Sequence, residues 1–264
     1  KQQLVHALKS QGHTVGMTGD GVNDVLALKE ADLGIAMGSG SAAARSVAEF
    51  VLLDDDFDVM PDIVDEGRRV LANVERVSVF FLTKTVWACV LTLLVIISGM
   101  PYPLFASQAT LIGFVAIGTP AFLLSFRKRA PRAETGIFGR VIRRAVPFGI
   151  VSAACGATVF AVVHYALHRS TAEARSATTL AITAVSLAIV ARNLGAEPGP
   201  WRLLPPALLL LGTLAVVIPV ARHWFSLVTQ TRGGALTIAI TALAGWTAVV
   251  LVDVAARRWG RRRG

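Results

Sequence analysis

The sequence predicts a polytopic α-helical membrane protein with six transmembrane helices, preceded by a partial α/β domain. Three observations carry that expectation. The 264 residues are 54% hydrophobic and only 16% charged, with a mean hydropathy of +0.60, too apolar for an ordinary water-soluble domain. Six apolar runs, each roughly long enough for a ~30 Å hydrocarbon core, follow one another from Phe80 onwards. The first 72 residues instead alternate short apolar strands with helical segments.

Within those 72 residues, "HTVGMT" reads as a strand ending at Thr18, "VNDVLALKEA" as a helix and "LGIAM" as a second strand. "SAAARSVAEF" then reads as a helix feeding the strand "VLL". Such alternation indicates a parallel α/β layer, whose ligands bind at the carboxyl ends of the strands. "TGDGVND" occupies one such end. Three strands are too few for a complete doubly wound domain, so this segment is expected to be cut from something larger. A secretory signal is not expected, because the opening stretch is mixed and polar. From Asp62 to Ile97 no proline intervenes, and a helix of about 35 residues would extend ~50 Å, some 20 Å beyond the membrane core. Gly67 weakens that continuity, and "DDDFD" at residues 54–58 reads as an acidic helix start rather than a metal site.

The six spans are expected at Phe80–Ser98, Leu104–Phe126, Pro147–Leu167, Ser176–Ala191, Leu203–Ala221 and Ala235–Ala255. Loop arginines and lysines set the orientation. The basic segment within 127–146, the Arg192–Arg202 connection and the tail "RRWGRRRG" are expected in the cytoplasm, with both ends of the chain. Trp201, Trp224 and Trp259 fall at span ends, as an aromatic belt would place them. The net charge of +9 is explained by this topology and by anionic headgroups rather than by nucleic acid. Cys89 and Cys155 lie inside apolar runs, which supports neither a disulfide framework nor a zinc site.

The glycine turn carries the chemistry. Gly19 and Gly21 permit tight backbone geometry, while Asp20 and Asp24 would lie near one another across the first helical turn. Two carboxylates with few competing ligands suit Mg²⁺, which is held by one or two acids plus a phosphate. Asn23 can hydrogen-bond a phosphoryl oxygen or fix an aspartate. The bland alternative is a strand-to-helix turn whose Asp and Asn only cap the helix.

Residues 1 to about 126 resemble the carboxyl-terminal part of the phosphorylation domain and the next two spans of a P-type ATPase. The resemblance rests on "MTGDGVNDVLALKEADLGIAMGSGSAAARSVAEFVLLDDDF", and the six spans match the layout of the larger cation pumps. "TLIGFVAIGTPAFLLSF" and the Ala/Val/Arg-rich helices are similar to the actinobacterial cation-transporting ATPase E group. Soluble phosphatases of the haloacid dehalogenase superfamily share a shorter form of the turn. The resemblance implies a haloacid dehalogenase-like domain, ATP as phosphoryl donor, and Mg²⁺ as cofactor. It also assigns roles: Lys1, 19 residues before Asp20, contacts the phosphorylated aspartate, Asp20 ligates Mg²⁺, and Asn23 and Asp24 hold the phosphate and metal arrangement. No DKTGT segment, TGE-type loop, nucleotide-binding domain or first four spans is present. The chain is therefore expected to be a carboxyl-terminal fragment, inactive alone and partnered by the missing amino-terminal part.

The transported cation is harder to read, calcium being one candidate. A gap-free comparison anchored on Asn73 and Pro120 puts Thr85, Ala88, Gly113 and Ile117 where calcium pumps carry amides and carboxylates. The first five expected spans hold no Asp or Glu, and Asp253 in the sixth is expected to pair with Arg257. Backbone carbonyls, Thr85, Gln108 and Thr119 remain as oxygen ligands. Lys84 is an intramembrane charge that either gates the route or snorkels to the interface. Pro120, after Gly118 and Thr119, should break a backbone hydrogen bond and free carbonyls in the second span. A membrane-tethered phosphatase and a noncatalytic scaffold stand as alternatives.

Overall fold

In the computed structural model, which describes residues 1–126, 136–194 and 200–261, the amino-terminal unit Lys1–Gly67 is built on a three-stranded parallel sheet. Strands β1 (Gly16–Gly19), β2 (Leu33–Met37) and β3 (Phe50–Leu52) lie in sequence order. The crossovers are α2 (Val25–Glu30), entered through a 3₁₀ turn at Val22–Asp24, and α3 (Ala42–Val47). β2 coincides with the expected strand. β1 begins later than expected because Gly16 pairs with Leu33, the first residue of β2, so the residues before it have no ladder partner. α3 ends early because Glu49 turns back to β2, its N–H donating to Gly34 C=O and its Oε2 accepting the Gly34 N–H.

Two small apolar clusters meet around α2 and share Met17. Val5, Ala27 and Ala31 pack with Val15 and Met17 in one, and Leu28, Ala36 and Ala44 with Met17, Val47 and Val51 in the other. Helix α1 (Gln2–Ser10) was not expected. Its contacts are mostly polar, since Gln2, His6 and Lys9 lie one above another on a helix and converge on the end of α2. Gln2 Nε2 donates to Glu30 Oε2 at 2.8 Å, His6 Nδ1 lies 2.7 Å from Glu30 Oε1, and Lys9 Nζ meets Glu30 O at 2.8 Å and Asp32 Oδ1 at 3.0 Å. A search for apolar periodicity passes over such a stripe.

Helix α4 (Met60–Ser98) leads into the carboxyl-terminal unit Arg68–Gly264. Its 39 residues continue through Gly67 and span about 58 Å at 1.5 Å per residue. Ahead of it, the acidic cluster forms a turn and cap: Asp56 accepts the Asp58 N–H and Asp55 the Ser39 N–H. The second span consists of α5 (Ala106–Gly113), a π-helical turn at Phe114–Gly118 and α6 (Thr119–Ser125). The third is α7 (Ile137–Ala161), closed by a second π turn at Val162–Ala166, and the fourth is α8 (Thr171–Leu194). Helices α9 (Leu204–Val217), α10 (Pro219–Trp224) and α11 (Arg232–Arg261) complete the described part.

Five of these helical stretches are long and apolar enough to cross a bilayer, not six. The expected fifth span, Leu203–Ala221, is broken. Ile218 is extended at φ −74°, ψ 119°, immediately before Pro219, as proline imposes on its predecessor. The 14 residues of α9 cover about 21 Å, short of a ~30 Å hydrocarbon layer. The fourth span, expected to be the shortest at Ser176–Ala191, starts at Thr171 and so takes in Glu173. The expectations for residues 127–135 and for the 262–264 end of the tail lie outside the described residues, as do the side chains of Arg257 and Trp259.

α8 is the axis of the unit: 78% of its apolar window is buried, against 11% for Arg232–Ala256. Leu93, Ile96 and Ile97 of α4 and Ile240, Leu243 and Leu251 of α11 are exposed, as lipid-facing positions are. Close helix contact depends on glycine. A Cβ on Gly149 of α7 would lie 2.5 Å from Val86 Cβ and 3.0 Å from Thr83 O, whereas one on Gly156 would first meet the flexible end of Ile182 at 2.7 Å. Gly149→Ala is therefore expected to destabilise by about 1–3 kcal/mol, the usual range for overpacking, and Gly156→Ala by less. Thermal unfolding of the two variants in detergent checks the order.

At the carboxyl end of α8 the packing turns ionic. Asp253 is fully buried; its Oδ1 accepts Arg144 Nη2 at 2.8 Å, and its Oδ2 accepts Arg192 Nη2 at 2.6 Å and Nε at 3.0 Å. These two partners come from other helices; the expected partner one turn along α11, Arg257, has a side chain outside the described residues. Nearby, Arg140 makes a two-pronged bond to Glu75 at 3.1 and 2.8 Å, and Asn193 Nδ2 donates to Arg76 O at 3.1 Å. The buried acid is a tie between α7, α8 and α11.

Candidate functional site

The "TGDGVND" turn leaves the carboxyl end of β1 as a parallel sheet requires. Gly19 closes the strand, Asp20 follows it, and Val22–Asp24 coil into the start of α2. Gly19 is sterically necessary, because a Cβ there would lie 2.6 Å from Asp24 Cβ and 2.9 Å from Asp24 Oδ2. Gly21 is not: φ is −99° and nothing lies within 3.9 Å of an added Cβ. The Asp20 carbonyl accepts the Ser41 N–H at 2.7 Å, and a side chain on Gly40 would come within 2.9 Å of that same carbonyl. The small-residue turn "GSGS" after β2 thus packs against the back of the acidic turn. Its residue types were the only signal for it in the sequence.

The four expected residues fall into two pairs. Lys1 and Asp24 engage each other, with Nζ 2.7 Å from Oδ1. Asp24 is 3% exposed, and Oδ1 has this ionic contact without an aligned hydrogen bond. Asp20 and Asn23 are exposed, and neither side chain has a hydrogen bond or ion pair among the described residues. Neither Asp24 nor Asn23 caps a helix through its side chain, so the capping alternative does not describe this turn.

The Lys1 ammonium is the main reason the Asp24 carboxyl sits below the usual carboxylate range, with smaller help from the Gly21 and Asp20 backbone N–H groups against the opposing effect of burial. Asp24 in turn raises Lys1. Glu30 is lowered by Gln2 and His6, Asp32 by the Val15 N–H and Lys9, and Asp55 by Ser39. Groups with lowered folded pKa stabilise above their unfolded values and lose that stabilisation as pH falls through the folded values. A raised lysine stabilises below its unfolded value and loses that contribution as pH rises through the folded one. The unit is therefore expected to keep these contributions between about pH 4.3 and pH 10.4, the ordinary Glu and Lys values, and to loosen outside both limits. Hydrogen exchange of residues 14–37, corrected for intrinsic rates, reads this.

The oxygen set was tested against Mg²⁺. Asp20 offers an open carboxylate and Asn23 an open amide oxygen, both hard donors, while Asp24 is charge-balanced by Lys1. No three His, Cys, Asp or Glu residues cluster for a metal among the described residues. The arrangement fits an ion that takes one or two protein carboxylates and fills its shell with phosphate and water. It does not fit an all-protein cage.

Among the expected route residues in the other unit, the structure brings Lys84 and Gly113 together. Lys84 Nζ is 3.2 Å from where a Gly113 Cβ would stand, and Lys84 has no hydrogen bond or ion pair among the described residues. Gly113 opens the π turn, whose closing bond runs from Thr119 N–H to Phe114 O. Pro120 is buried in the first turn of α6. Lacking an N–H, it cannot bond the carbonyl four residues earlier, and the widened turn accommodates it. A small pocket beside them is lined by Phe80, Thr83, Lys84, Trp87, Ile117 and Ser186 among others. Thr85 is exposed and bonds Phe81 O of its own helix. Gln108 is fully buried at the start of α5, its amide shared between Phe105 N–H and Ser226 C=O.

Comparison with known proteins adds a second line. Residues 2–61 match the family of haloacid dehalogenase-like hydrolases. A calcium-transporting ATPase, CtpE, of Mycolicibacterium smegmatis is 42% identical over 240 residues, 86% of this chain and 30% of that protein. CtpE of Mycobacterium bovis is 42% identical over the whole chain and 34% of its own length. A P-type sodium-transporting ATPase4 of Toxoplasma gondii is 43% identical over 126 residues, 47% of this chain and 9% of that protein. The chain thus spans about a third of the length of the mycobacterial relatives.

Proposed function

We propose, taking as premise that this chain is homologous to the P-type ATPases, that it is the carboxyl-terminal part of an ATP-driven, phosphoenzyme-forming cation pump. The observation that carries the reading is the acidic turn itself: a lysine–aspartate pair behind an open Asp20 and Asn23, at the end of a strand whose unit continues into a membrane helix. Residues 1–72 would be part of the phosphorylation domain, 73–126 the stalk and first two spans that carry the ion, 127–146 a basic cytoplasmic loop, and 147–264 the supporting spans and tail.

In this reading Asp20 holds Mg²⁺ and Asn23 hydrogen-bonds a phosphoryl oxygen. Lys1 offsets negative charge on the phosphorylated aspartate, and Asp24 keeps the ammonium in place. The division refines the joint metal role that spacing suggests for Asp20 and Asp24. Mg²⁺, when bound, neutralises charge on the transferring phosphoryl group. The protein's own part is to hold a lysine and two oxygen donors in a preorganised turn, which lowers the barrier because the dipoles need not reorganise. The aspartate that accepts phosphate and the nucleotide site belong to other segments of the longer protein.

Helix α4 is the continuous element from the phosphorylation unit into the membrane, and we assign it the coupling role. The ion route runs past Lys84, Gly113, Thr119 and Pro120, where the π turn leaves carbonyl oxygens as ligands; Thr85 and Gln108 flank it. We assign Ca²⁺ as cargo because the mycobacterial relatives are calcium-transporting ATPases.

The test is phosphoenzyme formation from labelled ATP by the longer protein, compared across Ca²⁺, Mg²⁺, Mn²⁺, K⁺ and H⁺. Calcium-stimulated aspartyl phosphate is expected. Ion-independent hydrolysis of small phosphorylated substrates without phosphoenzyme would identify a tethered phosphatase instead. A unit positive charge about 6 Å from a bound divalent cation at an effective dielectric near 20 opposes binding by about 5–6 kcal/mol before screening. Lys84→Gln is accordingly expected to lower the half-maximal Ca²⁺ concentration at least tenfold, and an unchanged value would remove Lys84 from the route.

A further inference from the structure

The small pocket beside Lys84 is lined by hydrogen-bond donors that the transport reading does not use. Three elements build it: Thr83, Lys84 and Trp87 come from α4, Ile117 from the π turn, and Ser186 from α8. Trp87 is 3% exposed and Ser186 8%, and neither the indole N–H nor the hydroxyl has a hydrogen bond among the described residues. A hydroxyl buried in a helix can bond the carbonyl four residues back, as Thr83 bonds Val79 O and Thr183 bonds Thr179 O, each at 2.7 Å. Ser186 makes no such bond. The Lys84 ammonium is likewise without an acceptor among the described residues.

Every described acid of the helical unit is engaged elsewhere. Glu75 holds Arg140, Asp253 holds Arg144 and Arg192, and Glu173 accepts from Thr231. None of these carboxylates is left to balance Lys84. One positive charge and two neutral donors, walled by Phe80, Ile112 and Ile117, form the converse of a cation site. Donors withdrawn from water need an acceptor, and a ligand that only accepts satisfies all three. The pocket has room for about one water-sized group, so a monatomic anion fits and a phosphate-bearing molecule does not.

We propose that Lys84, Trp87 and Ser186 form a binding site for a halide-class anion, chloride under ordinary conditions, between α4, the π turn and α8. With one charged and two neutral donors the site is weak, in the millimolar range. The anion offsets the ammonium charge that opposes a cation in the route, so a calcium titration without chloride reads the lysine alone. Binding of the anion requires no pumping, and its measurement stands apart from the pump reading.

The experiment is chloride NMR line broadening by the chain in phosphatidylcholine nanodiscs, in gluconate buffer, with bromide as competitor. The wild type is expected to show broadening that bromide saturably removes. Lys84→Gln should weaken the affinity at least about tenfold, and Trp87→Phe and Ser186→Ala by about threefold or more each. Thermal unfolding separates this loss from misfolding. In gluconate, Lys84→Gln should unfold at or above the wild-type temperature, because it removes an uncompensated charge, and added chloride should raise the midpoint of the wild type only. No bromide-displaceable component in the wild type, as a pocket holding water only would give, overturns the proposal. So does wild-type affinity in Lys84→Gln or in both neutral-donor variants, a lower midpoint for Lys84→Gln in gluconate, or equal stabilisation of both proteins by chloride.

Discussion

Asp20→Asn is expected to lower ATP-dependent phosphoenzyme formation by the longer protein at least about 100-fold, the scale seen when one preorganised electrostatic group is removed from a reacting centre. The argument is local. Asp20 is the exposed acid of the turn, with no hydrogen bond or ion pair to lose and only a minor electrostatic pull on Lys1, so the substitution should leave folding nearly unchanged and act on chemistry. Asp24→Asn is a different experiment. It removes the ion-pair partner of Lys1 from a position that is 3% exposed, and should disturb both the site and the fold of its unit. A phosphoenzyme level in Asp20→Asn equal to wild type, with normal Mg²⁺ dependence, would end the proposed metal role of that side chain.

The second large effect is structural. Asp253→Ala should destabilise the helical unit by about 2–3 kcal/mol, because removing one partner of a buried ion pair leaves the other charges uncompensated. The upper end of that range is tempered by the arginines: the Arg144 and Arg192 side chains are 20% and 34% exposed and can partly rehydrate. For a unit of this size the loss corresponds to a fall of roughly 5 °C or more in the unfolding midpoint. Unfolding in detergent, with Arg144→Ala and Arg192→Ala completing double-mutant cycles, should show coupling of Asp253 to both arginines. Additive effects would mean that the tie carries no energy.

Much of this architecture was readable before any coordinates. β2, the parallel layer, the long α4 and the break before Pro120 all follow from rules with a short range: a short continuous apolar run between turn residues, the absence of proline over residues 62–97, and the missing N–H of Pro120. Helix α1 escaped because its docking face is Gln2, His6 and Lys9, and polar stripes have no transfer free energy to betray them. The expected fifth span is interrupted for the opposite reason. Its hydropathy was adequate, but Pro219 cut its length.

The candidate site divides in the same way. Composition and residue spacing were enough to single out "GDGVND" as the candidate site and to mark apolar helices long enough to cross a bilayer, because turn geometry and hydrophobic transfer act over a few residues at a time. They could not say that Asp24 faces Lys1 while Asp20 stays open, or that Lys84 lies over Gly113. Nor could they pair Asp253 with arginines 109 and 61 positions away in the chain. Those facts depend on which groups meet after the chain has closed on itself, and a charge takes its partner from spatial neighbours, not from sequence neighbours.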